Sequence, residues 1–330
     1  MNNITVAVTG ASGHIGNVVC RKLIERGYRV KAFFRAFDKS LAGLALETVQ
    51  GDVLNTHDLY RLIEGCEIVI NCAAIISIEG DPTGIVFKTN TEGPKNVLEV
   101  SRSKGVKKLI HISSVHAVME VPLSLPFDET RPYKSSKDYA YDYSKATGEQ
   151  LIRNGSGNGS PEVVVVRPSS VIGPYDFKPS RTGNALNDFY HRRIPLLPQG
   201  GYDFVDVRDV ADSVVEAIEK GNNGEVYLLS GKYYSIKELA QIVKKVTGKK
   251  VPKRVLSYNL LKTLLPLVSL YSKVTGTEAL FTIEALDALI NGHPRMDHSK
   301  AATQLDHRCR PLEETIRDFY EWQWPTNKIQ

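Results

Sequence analysis

Residues Thr9-Gly10-Ala11-Ser12-Gly13-His14-Ile15-Gly16 constrain this chain more than any others. They follow the apolar run Ile4-Thr5-Val6-Ala7-Val8, which reads as a buried strand. They precede residues 17–26, where Val19, Leu23 and Ile24 fall at helical spacing. Strand, glycine-rich turn and helix in that order predict the opening unit of a doubly wound parallel sheet. Gly10 permits the tight turn, Gly13 lets the backbone approach a ligand, and Gly16 lets the helix pack on the strand. The helix N-terminus adds N–H groups and the positive end of the helix dipole. A dinucleotide pyrophosphate is the ligand such a segment suits.

The alternation continues along the chain. Residues 30–34, 68–72, 108–112 and 163–166 read as short buried strands, with helical spacing around 56–64, 86–103 and 138–153. After Pro174 the pattern loosens, returns at 203–207 and 226–230, and then turns helical. The expected fold is therefore α/β. A Rossmann-type doubly wound parallel sheet would occupy 1–174, completed by 203–231. A smaller, mostly helical C-terminal lobe from 175–202 and 232–330 would hold the substrate, and 330 residues suffice for both. Residues 153–161, rich in Gly, Ser and Asn, read as a surface loop inside this pattern.

Composition excludes several classes. Cys20, Cys66, Cys72 and Cys309 form no CxxC pair and read as reduced thiols, three of them in core-like patterns. No group of His, Asp and Glu shows metal-ligand spacing, His293 and His298 included, so no metal is expected. The net charge of +5 comes partly from Lys244, Lys245, Lys249, Lys250, Lys253 and Arg254. That cluster lacks interleaved aromatics and reads as a solvated helix end, so no nucleic-acid partner is expected. The most lipid-like stretch, 260–270, is interrupted by Lys262 and Pro266 and is too short to span a bilayer. It reads as a packed or lid helix. The chain opens on a strand without a signal peptide, and a cytoplasmic location is expected.

Carbonyl chemistry beside a nicotinamide needs a proton donor. Tyrosine serves when a fixed cation pulls its pKa down from about 10. A lysine four residues later on a helix stands one turn away on the same face. Tyr133/Lys137, Tyr141/Lys145, Tyr233/Lys237 and Tyr258/Lys262 all have that spacing. Tyr141 lies in helix-forming sequence downstream of a strand that ends in Ser113-Ser114, and open α/β sheets bind ligands at such carboxyl ends. Tyr133 follows Pro132 in loop-like sequence, and Tyr233 and Tyr258 lie beyond the core sheet. Tyr141 and Lys145 are therefore the candidate pair. His116, just after the serines, reads as part of a turn.

On these residues the chain resembles the extended short-chain dehydrogenases/reductases, the NAD(P)-dependent epimerase/dehydratase family. The segment from Thr9 to Gly16 matches the family's TGxxGxxG, Tyr141 to Lys145 its YxxxK, and Ser113-Ser114 its hydroxyl-bearing strand end. Asn71-Cys72-Ala73-Ala74, Asn90-Thr91-Glu92-Gly93, Arg167-Pro168 and Phe204-Val205-Asp206-Val207 fit as well. The resemblance implies a triad of Ser114, Tyr141 and Lys145, with Ser113 as the alternative hydroxyl. Ser114 would hold the substrate oxygen and Tyr141 would exchange its proton. Lys145 would bind the nicotinamide ribose and lower the tyrosine pKa. The resemblance further implies cofactor contacts from Thr9, Gly10, Ser12, Gly13, His14, Ile15 and Gly16. Asp52 would contact adenine, with Val53, the Ala73-Ala74 backbone and Pro168 lining the same cofactor. It also points to a homodimer.

The second strand ends Phe33-Phe34-Arg35, with no carboxylate before Asp38. Arg35, helped by Lys39, suits the 2′-phosphate of NADP by charge and bidentate geometry. NADP(H) is therefore favoured, and NAD(H) stays open. Ser114-Val115-His116 stands where dehydratases of the family carry Thr-Asp-Glu, which disfavours dehydration. The 30–35 strand and the 200–207 segment most resemble the dihydroflavonol-reductase-like group. The expected function is an NADP(H)-dependent oxidoreductase that reduces an aldehyde or ketone to an alcohol. Two alternatives stay open: an NAD-dependent nucleotide-sugar epimerase, and a non-catalytic NADP-binding regulatory protein. Residues 75–84, 115–127, 175–202 and the C-terminal helices would wall the substrate pocket. Tyr175, Phe177 and Tyr190 would supply aromatic surface there, and Arg181, Arg192 and Arg193 would suit a diphosphate.

Overall fold

The computed structural model describes residues 4–36, 39–155, 161–275 and 282–325. Seven strands form one parallel sheet: β1 (Thr5–Thr9), β2 (Arg29–Phe34), β3 (Glu47–Gln50), β4 (Ile68–Asn71), β5 (Lys108–Ile112), β6 (Glu162–Pro168) and, later in the chain, β10 (Val226–Leu229). Their order is β10-β6-β5-β4-β1-β2-β3. Successive side chains on a strand face opposite ways, and here both faces are covered. Val6 and Val8 of β1, Ile68 and Ile70 of β4, and Ile110 and Ile112 of β5 share one core. Ala7, Val69 and Leu109, between them in sequence, lie in the other. Helices α1 (His14–Glu25) and α6 (Val207–Lys220) cover the first face. Helices α2 (Thr56–Ile63), α3 (Ile85–Ser103) and α4 (Ala140–Gly155) cover the second. This double burial explains why the strands read as unbroken apolar runs.

One expectation needs correction. Of residues 203–207, expected in the first sheet, 203–206 belong instead to β9 (Gly201–Asp206) of a separate three-stranded sheet, and Val207 opens α6. Beyond Pro168 the chain runs straight into β7 (Ser170–Ile172), which pairs with β9 through Val171 and Val205. The edge beside β6 is taken by β10, with Val226 opposite Val165. The order of the small sheet is β11-β9-β7, with β11 (Lys232–Ser235) antiparallel to β9.

A third core joins Phe204 of β9 and Ile172 of β7 to helices α5 (Arg181–Tyr190), α7 (Ile236–Thr247) and α11 (Leu312–Gln323). A short pair, β8 (Leu197–Pro198) and β12 (Val255–Leu256), leads into α8 (Tyr258–Thr275), followed by α9 (Ile283–Ile290) and α10 (Ser299–Gln304). Among the described residues no helix is long and apolar enough to cross a membrane. Of the loop read at 153–161, residues 156–160 lie outside the described residues.

Candidate active site

Adjacent strands β1, β4 and β5 end side by side and deliver three loops to one edge of the sheet. At the first, Gly10 has φ +62°, and a β-carbon there would stand 2.8 Å from the backbone nitrogen of Ala73. A β-carbon on Gly16 would stand 2.2 Å from the Gly10 carbonyl oxygen. Only glycine fits either position. Gly13 donates its N–H to Gly10 O at 2.9 Å and caps α1 without any side-chain acceptor. The first N–H groups of α1 therefore face outward over a floor with no side chain on it, a cradle that fits a pyrophosphate. Thr9 fastens this turn to β4: its hydroxyl donates to Asn71 Oδ1 at 2.5 Å and accepts from Ala73 N–H at 3.2 Å.

Other expected cofactor residues lie on this turn or after other strands of the sheet. Ser12 and Ile15 are half-buried along the turn and first helical positions. His14 Nε2 lies 3.0 Å from the Pro174 carbonyl, so its ring ties the turn to the segment that follows β7. The Ala11 N–H donates to Phe33 O at 3.0 Å, which sets exposed Arg35 at the rim of the same turn. Asp52 follows β3, where its carboxylate accepts from Leu54 N–H at 2.9 Å. Val53 is buried against Gly93, and Pro168 closes β6 opposite Leu229.

Asn90 of α3 anchors the β4 loop. Its Oδ1 accepts from Ile75 N–H at 2.8 Å, and its amide donates to Ile75 O and to Ser144 Oγ, each at 2.9 Å. Ser144 lies between Tyr141 and Lys145 on α4, so one amide ties loop and helix together. Gly148 makes the close approach of α3 and α4 feasible, since a β-carbon would stand 2.1 Å from Asn90 O.

The two serines after β5 diverge. Ser113 donates to Glu149 Oε2 at 2.6 Å, inside a buried network that composition did not flag. Arg167 grips Glu149 through Nη2 at 2.7 Å and Nε at 3.0 Å, and Tyr133 donates to Glu149 Oε1 at 2.8 Å. Burial would push the Glu149 carboxyl up, but Arg167, Ser113 and Tyr133 hold it below the usual range. An arginine ending the apolar run 163–166 and a glutamate on the inner face of α4 were the available sequence signals. Tyr133, one of the decoy tyrosines, is engaged here.

Ser114 instead caps the turn that follows, its hydroxyl accepting from His116 N–H at 3.1 Å. Burial pushes the Tyr141 hydroxyl well above the ordinary tyrosine range, and Ser114 opposes the push. Lys145, one turn on, is buried and donates to the Ile112 carbonyl at 2.9 Å. Burial brings its ammonium down to about 8, while Glu149 and Cys72 oppose that shift. Burial sets the direction for Tyr141, and Lys145 is directed at the Ile112 carbonyl.

Beside Tyr141 stands a second group. The His116 ring meets the Tyr141 ring edge-on at 5.9 Å, and its Nδ1 lies 3.3 Å from Asp142 Oδ1. Buried Lys134 pairs with Asp142 and, at 2.8 Å, with Glu120. Burial would raise Asp142, but His116 and Lys134 hold it below its usual value. Glu284 of α9 is also buried, and burial with nearby Asp142 raises its carboxyl to about 7. His116 is therefore more than a turn residue.

The aromatic wall is only partly as expected. Tyr175 and Phe177 pack on Trp322 at 6.0 and 5.1 Å, with Arg21 over the Tyr175 ring at 4.5 Å. Tyr190 stacks on Trp324 at 4.1 Å and packs, half-buried, against the third core. Arg193 pairs with Asp188 at 3.6 Å, whereas Arg181 acts on half-buried Tyr202 and buried Glu284. The tail also departs from expectation: His298, His307 and Cys309 converge although their spacing predicts nothing.

The model of the NAD dependent epimerase/dehydratase family matches residues 6–230. The chain is 33% identical over 254 residues to "Sterol demethylase protein B" of Methylococcus capsulatus, covering 76% of each chain. It is 29% identical to a Synechocystis protein provisionally assigned as a dihydroflavonol 4-reductase, over 96% of this chain and 93% of that one. The crystal structure of gox2253 superposes over the full length of both chains with TM-score 0.85 at 29% identity. UDP-glucose 4-epimerase of Thermotoga maritima shares the fold, with TM-score 0.79 at 22% identity over 98% of this chain and all of that one.

Proposed function

Because the chain belongs to the NAD-dependent epimerase/dehydratase family, we propose that this NAD(P)-dependent oxidoreductase is an NADP(H)-dependent carbonyl reductase acting through Ser114, Tyr141 and Lys145. The observation that carries this reading is buried Lys145, one helical turn from Tyr141 and bonded to the Ile112 carbonyl at the end of β5, where Ser114 stands, on the same sheet edge as the glycine cradle. When bound, a nicotinamide dinucleotide supplies or accepts the hydride. Thr9, Gly10, Ser12, Gly13, His14, Ile15 and Gly16 would hold its pyrophosphate, with Asp52, Val53, Ala73, Ala74 and Pro168 along its length. Ser114 holds the substrate oxygen, and Tyr141 passes its proton to that oxygen as negative charge develops there. Lys145, a cation buried beside Ile112, stabilises the tyrosinate that remains and binds the ribose.

Arg35 supports NADP(H) over NAD(H), since it stands exposed at the end of β2 bordering the glycine turn. The second lobe, built around the third core, would carry the substrate. Tyr175 and Phe177 suit an apolar carbonyl compound, in line with the reductase names among the sequence relatives. Calorimetric titration of cofactor-stripped protein with NADPH and NADH tests the cofactor assignment. NADPH should bind more tightly, and Arg35→Ala should weaken it at least about tenfold while leaving NADH unchanged. Preference for NADH would remove the Arg35 argument and favour the nucleotide-sugar epimerase.

A further inference from the structure

The segment linking α10 to α11 carries an arrangement that the carbonyl chemistry does not use. His298 stands at the N-terminus of α10, and His307 and Cys309 follow the helix. Their donor atoms all lie within 4.8 Å of one another. Cys309 Sγ is 3.6 Å from His298 Nε2 and 3.8 Å from His307 Nε2. In a tetrahedral zinc centre, with Zn–S about 2.3 Å and Zn–N about 2.0 Å, neighbouring sulfur and nitrogen ligands stand about 3.5 Å apart. The three side chains already have nearly that separation.

We propose that His298 Nε2, His307 Nε2 and Cys309 Sγ form a binding site for a divalent transition-metal cation, zinc by ligand type, that pins the C-terminal segment to the edge of the main sheet. Two imidazoles and a thiolate are the donors zinc favours.

The rear of each ring is anchored. His298 Nδ1 lies 2.8 Å from Ser230 Oγ, just past β10, and His307 Nδ1 lies 2.7 Å from Ser213 Oγ on α6. Such outer hydrogen bonds orient metal-binding histidines and set which nitrogen is free. Without a cation, His307 Nε2 and Cys309 Sγ both point at the Ser230 carbonyl, at 2.8 and 3.1 Å. Ser213 allows the change of tautomer that binding requires, because its Oγ also lies 2.9 Å from the Asp209 carbonyl. On binding, His307 gives up its Nε2 proton and takes one at Nδ1, which donates to Ser213 Oγ. Ser213 turns its own hydrogen to Asp209 O. The thiol proton goes to solvent, so one proton is released for each cation bound.

Charge and access agree with the assignment. Burial, with the Asp209 and Asp203 carboxylates, pushes the Cys309 thiol up to about 11, so a bound cation must displace its proton, and the same carboxylates offset the charge the ion brings. Asp203 is held by Ser169 Oγ at 2.6 Å and Gly231 N–H at 2.7 Å. Cys309 is exposed, which gives the ion an entry path and leaves the fourth position to water. The spacing His-x8-His-x-Cys matches no local ligand pattern, so only the tertiary fold reveals the site.

Titration of the chelator-treated full chain with Co2+ tests the proposal. The expected result is a thiolate-to-cobalt charge-transfer band with the visible bands of four-coordinate cobalt, saturating at one ion per chain and displaced by Zn2+. Cys309→Ser should lose the charge-transfer band, and His298→Ala should weaken binding at least about tenfold. Both residues lie outside the buried cores, and an unchanged thermal melt in chelator would show that each variant folds. His57→Ala, on α2, should bind as the unmodified chain does. A folded chain that gives no charge-transfer band, or a band that survives Cys309→Ser, would overturn the proposal.

Discussion

Ser113 donates its hydroxyl hydrogen to Glu149 Oε2 at 2.6 Å, and this bond gives the paired serines at the end of β5 different surroundings. Ser113 belongs to a buried charge network, whereas Ser114 accepts from His116 N–H at 3.1 Å and opposes the upward push on the Tyr141 hydroxyl. Ser114→Ala should therefore lower kcat by about 10²-fold or more with little change in stability. Ser113→Ala should cost about 1–3 kcal/mol of stability, because a buried carboxylate oxygen loses a donor, and should affect kcat less. Steady-state kinetics and urea unfolding of the two variants check this, and the opposite pattern would make Ser113 the active hydroxyl.

The Glu149–Arg167 pair is almost fully enclosed, with side chains 0% and 1% exposed. Removing one partner leaves the other charge buried and unpaired. Arg167→Met should destabilise by about 3–5 kcal/mol, and adding Glu149→Leu should recover a large part of the loss. Chemical denaturation of the single and double variants measures this coupling. Equal losses in both would show that Arg167 acts by packing alone.

Burial lowers the Lys145 ammonium from 10.5 to about 8. Between pH 8 and 10.5 the unfolded chain holds this proton and the folded chain does not, so stability rises with pH across that window. The cofactor-free protein should gain roughly 3 kcal/mol there relative to Lys145→Met, which lacks the group. Unfolding curves of both proteins at pH 7.5 and pH 10.5 read the difference. Parallel pH profiles would show that Lys145 titrates normally.

The Gly16 contact makes a sharper demand. A β-carbon placed 2.2 Å from Gly10 O must push α1 off the turn, because the clash is with backbone. Gly16→Ala should lower stability by about 1–3 kcal/mol and abolish measurable dinucleotide binding. Retention of wild-type affinity would show that the cradle is not where the cofactor lies.

Local rules made part of this molecule readable from its residues. Strand, glycine turn and helix at Thr9–Gly16 obey spacing and sterics that act within one supersecondary unit, and the Tyr141–Lys145 spacing is a single helical turn. The main strands were legible because each is buried on both faces. What could not be read depends on contacts between segments far apart in the chain. Whether residues 203–207 join the large or the small sheet depends on competition with β10 for the edge beside β6. Tyr190 gave no local sign that Trp324 would cover it. Glu149, Arg167 and Ser113 look unrelated until α4, β6 and β5 come together, as do His116, Asp142, Lys134 and Glu284. The spacing of His298, His307 and Cys309 carries no sign of their convergence, which depends on the tertiary fold.

The proposed role of Tyr141, moving the proton in an NADP(H)-dependent carbonyl reduction, is tested most simply by following nicotinamide absorbance with NADPH and a panel of apolar aldehydes and ketones, comparing the unmodified chain with Tyr141→Phe. Turnover with NADPH should fall by about 10²–10⁴-fold in Tyr141→Phe while NADPH binding is retained. Turnover that survives in Tyr141→Phe, or a chain that binds NADPH yet reduces no carbonyl compound, would contradict it.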